Sequence, residues 1–276
     1  MSSGILFVVA TPIGNLSDAN PRSIETLRGA DIIACEDTRT TRTLLARFGV
    51  AGRVVALHEH NERAAAGSLI EALHQGRSVA LVSDAGTPAF ADPGAYLVGE
   101  AHRAGIRVSP VPGPNAAAAA FSAAGFPASR FLFAGFLPAS GAARRRALET
   151  LDAPWPVILY EAPHRIARTL ADLAERLGDE REVAIGRELT KKFEEFVRLP
   201  LRDARAWLGC DAHRRQGEFV IVLAPGEAKP PQAADAERVL DALLEALAPS
   251  EAAKLAARIT GVPKKTLYEK ALKRAK

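Results

Sequence analysis

The chain has 276 residues, more than one average domain, and its 48% hydrophobic and 25% charged residues are ordinary globular composition. The net charge of +4 is small but unevenly placed: from Ser250 to Lys276 eight Lys or Arg stand against Glu251 and Glu269, so a basic tail follows a near-neutral body and points to a polyanionic partner. Cys35 and Cys210 are far apart and lack the CxxC or Cys/His spacing of a structural zinc site, so no metal is expected and a reducing compartment fits.

In chain order, the start MSSGILFVVATPIG has no basic n-region, and its apolar run is too short for a signal peptide or a membrane span, so a cytoplasmic protein is expected. Apolar runs of strand length recur at residues 5–10, 32–35, 54–57, 79–82 and 106–111. Between them the sequence predicts helices: one from Pro21, capped by Asn20 and closed at Gly29, then 40–48, 62–75 and 94–104. That alternation predicts a mostly parallel, doubly wound sheet. The alanine-rich run 116–124 predicts a helix that packs closely on a sheet and stops at Gly125. A second lobe follows, with strands at 131–136, 157–161, 183–187, 194–199 and 218–224 and helices at 142–151, 164–177 and 202–208; short strand spacings predict a mixed sheet. PGEAKPPQ at 225–232 reads as a linker. Helices are then expected over 233–247, over 251–260 with Ser250 as cap, and over 264–276 after a break at Gly261, which is the pattern of a helix-turn-helix. The expected domains are therefore 1–114, 115–226 and 233–276.

Four loops after predicted strands hold the glycines, prolines and small polar residues: TPIGN from Thr11, SDAGTP from Ser83, VPGPN from Val111 and YEAPHR from Tyr160. Loops at the carboxyl ends of parallel strands are where open α/β sheets bind small ligands. None is a GxGxxG or a GxxxxGK[ST], so the sequence argues against a dinucleotide pyrophosphate or a nucleoside triphosphate. Backbone groups that glycine and proline bring close suit a flat adenine, a ribose and an amino-acid end, the parts of S-adenosylmethionine. A β-branched residue at Gly86 or Gly113 is expected to intrude on that ligand's space.

These loops resemble the class III, or tetrapyrrole methylase, superfamily of S-adenosylmethionine-dependent methyltransferases, over about the first 225 residues. The resemblance implies a two-lobed α/β fold with the cofactor in the cleft between the lobes, here followed by a small helical, helix-turn-helix-like appendage. By similarity, Pro12, Gly14 and Asn15 match the first cofactor loop; Ser83, Asp84, Ala85, Gly86, Thr87 and Pro88 the second; Pro112, Gly113, Pro114, Asn115 and Ala116 the third; and Tyr160 with Ala162 the strand end from the second lobe. The first two loops depart from the GPGDP and GGDP of the tetrapyrrole enzymes. TPIGNLSD, CEDTR, SDAGTPAFADPG, VPGPNA, YEAPHR and GRELTKKFEE resemble instead the ribosomal RNA methyltransferases of the superfamily, which 2'-O-methylate the ribose of a cytidine in the decoding region of 16S rRNA. Partners implied are 16S rRNA within the 30S subunit and, as is common in the superfamily, a second copy in a homodimer.

Methyl transfer to a ribose hydroxyl needs a group that helps the nucleophile lose its proton. Glu36, Asp37, Glu161 and His164 are candidates, with Asp84 beside them; helix capping is an equal reading for Glu36 and Asp37, an Asx turn for Asp84, and helix initiation for Glu161. Arg39, Arg144, Arg145, Arg146 and Arg165 are candidate RNA contacts in the body, against a solvated helix face for the arginine triplet; Lys264, Lys265 and Lys270 are candidates in the tail. Lys191 and Lys192 are expected to pair with Glu194 and Glu195, and His58 with His60 to serve a loop or the substrate side. Two other functions fit parts of the sequence: methylation of a tetrapyrrole ring carbon, and non-catalytic nucleic-acid binding through the tail.

Overall fold

The computed structural model describes residues 3–226 and 233–274, with the side chains of 233–235 and 274 left aside. Most of the predicted linker, 227–232, lies outside the described residues, as does the end of the last predicted helix. Two compact units result, Met1–Pro225 and Gly226–Lys276.

The first sheet is parallel throughout, in the order β3-β2-β4-β1-β5. Its strands are β1 (Ile5–Val9), β2 (Ile32–Cys35), β3 (Arg53–Ala56), β4 (Val79–Leu81) and β5 (Arg107–Val111). Alternation within each strand feeds two cores. Leu6, Ala34 and Leu81 pack with Leu69, Leu73 and Leu97 of α3 (Glu62–His74) and α4 (Ala95–Arg103). Val9, Ile33 and Cys35 pack with Leu27 and Leu45 of α1 (Pro21–Gly29) and α2 (Thr38–Arg47). Burial on both faces is why these strands read as continuous apolar runs.

The second sheet has the order β6-β7-β10-β8-β9, from β6 (Leu132–Phe136), β7 (Val157–Glu161), β8 (Glu182–Arg187), β9 (Glu195–Pro200) and β10 (Phe219–Leu223). Only β6 and β7 pair in parallel; β10 runs antiparallel to β7 and β8, and β8 to β9, so the sheet is mixed as expected. α6 (Gly141–Glu149), α7 (Ile166–Leu177) and α8 (Leu201–Gly209) cover one face through Leu170, Leu173 and Leu208. The other face receives α5 (Ala116–Ala124), whose Ala117, Ala120 and Ala124 let it sit close on Ile158, Ala184 and Val222. Gly125 ends α5 in the left-handed conformation, at φ 66°. A bulge between Phe133 and Gly135 breaks the β6 register, and Phe136 at the strand's end is exposed.

The second unit holds α9 (Ala233–Leu244), α10 (Pro249–Thr260) and α11 (Lys264–Arg274) around Leu240, Ala253, Ala256 and Leu267. Ser250 is not the cap expected of it: α10 starts two residues earlier than expected, with Pro249 at its first position and Ala248 as cap. Among the described residues no helix is long and apolar enough to cross a membrane.

Candidate active site

Three of the four motif loops are tied to one another. Thr11 and Gly86 exchange backbone hydrogen bonds of 2.8 and 3.1 Å, and the Thr11 hydroxyl donates to the Ser83 carbonyl at 3.2 Å. Ser83, itself buried, donates to the Gly86 carbonyl at 3.2 Å. Thr87 donates to the Pro114 carbonyl at 3.2 Å, and Asn20 to that of Pro112 at 2.6 Å. Gly86 holds φ at 88°, a conformation that favours glycine. Gly113 does something other than expected: a Cβ there would meet Ala10 Cβ at 2.9 Å, so its bareness packs β5's loop onto β1's end rather than sparing room for a ligand. Asn15 and Asn115 accept from Ser17 N and Ala118 N at 3.0 Å, capping a short 3-10 turn and α5.

Carboxylates gather beside these loops. Asp37 caps α2, accepting from Arg39 N at 2.7 Å and Thr40 N at 3.3 Å, so the capping reading describes its geometry. Its own N–H donates to Asp84 Oδ1 at 3.1 Å. Asp84 thus joins the ends of β4 and β2 instead of closing an Asx turn in its own loop. Partial burial and the neighbouring Asp84 push the Glu36 carboxyl up; burial does the same for Asp84, offset by the Asp37 N–H.

Asp92 was not among the expected site residues, and it is the most perturbed carboxyl of this group. Burial pushes it up to about 6, with Glu36 and then Asp84 adding to the effect and the nearby Ser83 side chain opposing it. The segment that carries it is held in an uncommon shape, with Ala89 and Ala91 at φ 62° and 69°. Such residues cost of order 1 kcal/mol each and persist where the surroundings enforce them. Two anchors do so. Phe90 stacks on Phe133 of the second sheet at 4.1 Å between centroids. Glu62 accepts from Gly94 N at 2.9 Å and Tyr96 N at 3.0 Å, fixing the start of α4 two residues beyond Asp92.

The second sheet supplies the facing wall. The Tyr160 hydroxyl accepts from Ala117 N at 3.2 Å, and burial followed by the nearby Asp92 raises its pKa. Glu161 is buried with both oxygens engaged: one accepts from Ala162 N at 2.9 Å and pairs with Arg165 Nε at 3.1 Å, the other accepts from the Thr169 hydroxyl at 2.5 Å. That corrects the expectation of Glu161 as a base, since its lone pairs hold the β7–α7 corner. The fully buried Thr169 accepts in turn from Arg144 at 3.0 Å. Arg144 also donates to Asp172 at 2.8 Å and to the Pro138 carbonyl at 3.0 Å. It is therefore a buried structural residue, and the arginine triplet does not face phosphate as a unit; Arg145 and Arg146 are exposed. Arg165 is turned toward Glu161 and the Leu137 carbonyl. Arg39 and His164 are exposed.

Lys191 pairs differently from expectation, with Glu188 at 2.9 Å and Glu218 at 2.8 Å, while Glu195 pairs with Arg187 and Arg214. Its stem lies where a Gly14 Cβ would stand, 2.4 Å from that position, which is why glycine is needed there.

Between the two walls opens a cleft of about 390 Å³, a usual size for a small-molecule site. Of the expected cofactor residues, Asp84, Ala85, Gly86, Thr87, Asn115, Ala116, Tyr160 and Ala162 line it. Pro12, Gly14, Asn15, Ser83, Pro88, Pro112, Gly113 and Pro114 are not in its lining. Of the expected catalytic residues only Glu161 lines the cleft, joined by the unexpected Phe90, Asp92, Phe136, Leu189 and Lys191. Apolar walls with four carboxylates, Asp84, Asp92, Glu161 and Glu218, and a lysine already bound to two glutamates, suit a ligand that joins a flat ring to a positive charge and disfavour a phosphate. The donor set fits a nucleoside sulfonium. No group of three or more His, Cys, Asp or Glu among the described residues is placed to hold a metal ion.

In the second unit Lys264 and Lys265 are exposed at the start of α11, whereas Lys270 is engaged by Glu237 of α9.

Comparison with known proteins agrees with this architecture. The family described as Tetrapyrrole (Corrin/Porphyrin) Methylases matches residues 6–205, and the one described as RsmI C-terminal HTH domain matches residues 230–275. The chain is 49% identical to the ribosomal RNA small subunit methyltransferase I of Pseudomonas aeruginosa over 99% of both chains. It is 51% identical to the Mesorhizobium japonicum protein of the same name, over 97% of this chain and 91% of that one. Among solved structures, diphthine synthase aligns with TM-score 0.60 at 18% identity over 80% of this chain and 90% of that one. A uroporphyrin-III C-methyltransferase from Thermus thermophilus, complexed with S-adenosyl homocysteine, aligns with TM-score 0.55 at 17% identity over 81% and 98%. At those identities the structural likeness speaks for the fold alone.

Proposed function

From the premise that this chain belongs to the tetrapyrrole methylase family, and within it to the ribosomal RNA small subunit methyltransferase I family, we propose that it 2'-O-methylates the ribose of a cytidine in the decoding region of 16S rRNA, using S-adenosylmethionine. The observation that carries this reading is the cleft: three mutually bonded strand-end loops face a tyrosine wall, with carboxylates and apolar side chains where a phosphate-binding site would need free cations. When bound, S-adenosylmethionine supplies an electrophilic methyl group on a cationic sulfur. Asp84, Gly86, Thr87, Asn115, Ala116, Tyr160 and Ala162 hold it, on the frame provided by Pro12, Gly14, Asn15, Ser83, Pro88 and residues 112–114. Hydrogen bonds among those loops hold them to one another, which lowers the ordering entropy that opposes binding.

RNA is gripped from two places in this reading: Arg39, Arg145 and Arg146 on the body, and Lys264 and Lys265 on the helical appendage. We take 1–114 and 115–226 as the two lobes and 233–276 as the RNA-binding appendage, in a cytoplasmic homodimer acting on the 30S particle. Purified protein incubated with methyl-labelled S-adenosylmethionine and unmethylated 30S subunits should place label on one cytidine ribose, found by nuclease digestion and mass spectrometry. Label on a porphyrinoid precursor and none on RNA contradicts the reading, as does salt-sensitive RNA binding without cofactor affinity.

A further inference from the structure

We propose that the Asp92 carboxylate accepts the proton of the attacking ribose hydroxyl. The inference rests on the methyltransferase reading above and adds the residue that a sequence search for a base did not supply. Elimination within the site leads to it. Glu161 lines the cleft but has both oxygens engaged by Ala162, Thr169 and Arg165, and Glu218 lines it as the ion-pair partner of Lys191. Asp37 spends its carboxylate on the first turn of α2, and neither it nor Glu36 nor His164 lines the cleft. Asp84 lines it with one oxygen bound to Asp37 N, where it secures the loop that frames the ligand.

Asp92 is placed differently. It lines the cleft on a segment that leaves the first sheet, stacks Phe90 on Phe133 of the second, and returns to a helix start pinned by Glu62. Two non-glycine residues in the left-handed region flank Phe90 in that segment, and such strain is kept where geometry matters. The groups that face it are Glu36, Asp84 and the Ser83 side chain from the first sheet and Tyr160 from the second. Glu161 and Lys191 share the cleft wall, but both are committed to internal partners. In this setting burial and like charge raise the carboxyl toward the operating pH, which suits a group that must be ionised at rest yet hold a proton in the transition state.

The chemistry balances without a further reactant. The ribose 2'-oxygen forms its bond to the methyl carbon as the carbon–sulfur bond breaks, and the electron pair of that bond stays on sulfur. The hydroxyl proton passes to an Asp92 oxygen and from there to solvent.

The test uses the full chain and D92N, which keeps shape and removes basicity. Calorimetric affinity for S-adenosyl homocysteine is expected to match wild type within about threefold, while the single-turnover rate on 30S subunits falls by roughly 10²- to 10⁴-fold. A D92N rate within tenfold of wild type overturns the proposal, and so does a parallel loss of cofactor affinity, which makes Asp92 a binding residue. If D92N fails to fold by circular dichroism, the wild-type single-turnover rate from pH 5 to 8 decides: an acidic limb near pH 6 supports Asp92, and a flat profile overturns it. Wild-type protein that binds the cofactor and never methylates 30S subunits removes the parent reading, a result distinct from any D92N outcome.

Discussion

Thr169 carries a network whose loss can be worked out from its contacts. Its hydroxyl donates to Glu161 at 2.5 Å and accepts from Arg144 at 3.0 Å, at a fully buried position. Thr169→Val keeps the volume and removes both bonds. Each hydrogen bond to a charged group contributes about 1.5–3 kcal/mol, so the expected loss for two is about 3–6 kcal/mol. The charges stay buried, although Arg144 keeps Asp172 and Glu161 keeps Arg165, which holds the cost to that range. Roughly 2–4 °C per kcal/mol at this size puts the fall in Tm near 10 °C in differential scanning calorimetry. The transition of the body, residues 1–225, is the one to follow, because the second unit has its own core and two-state behaviour is not assumed for the whole chain. A T169V protein melting within about 2 °C of wild type refutes the claim that Arg144 and Glu161 serve the β7–α7 corner.

Other outcomes follow from the same geometry. Asp92 holds its proton more tightly folded than unfolded, so its ionised form costs stability as pH rises from about 4 through about 6. The full effect of ~3 kcal/mol is cut by solvent screening at a partly exposed group to about 1 kcal/mol, so D92N should melt a few degrees higher than wild type at pH 7.5 and equally at pH 4. Gly113→Val should lower expression and thermal stability through collision with Ala10; a well-folded variant that loses only cofactor affinity contradicts the packing role. Deleting residues 233–276 should leave calorimetric cofactor affinity unchanged and reduce rRNA methylation at least tenfold, and undiminished methylation removes the appendage from the grip on RNA. Replacing Lys264 and Lys265 with alanine should lower the salt slope of RNA binding by about one to two, and an unchanged slope assigns the phosphate contacts elsewhere.

Much of the fold was legible because its signals are local. Strands buried on both faces appear as apolar runs, Asn20–Pro21 marks the start of α1, and Gly125 marks the end of α5. Boundaries moved where a side chain chose the cap: Asp37 starts α2 two residues earlier than the apolar pattern suggests. The site's loops were legible from their glycines and prolines, yet their roles were not. Gly113 and Gly14 serve Ala10 and Lys191, partners 103 and 177 positions away that no local pattern displays. Arg144 looked like one of three equal arginines, and only the fold brings Thr169 and Asp172 to it. Asp92 sits in a stretch that reads as a turn, ADPG; its chemistry comes from Glu36, Asp84 and Tyr160, delivered by β2, β4 and β7. The signal available in sequence was an acid within a loop already rich in glycine and proline.

The central claim is that an adenosyl nucleoside bearing sulfur sits among these strand ends, and a crystal of the protein grown with S-adenosyl homocysteine tests it most directly. Density is predicted in the cleft, against Gly86, Thr87, Ala116 and Tyr160. Density at another surface, or none at saturating ligand, contradicts it.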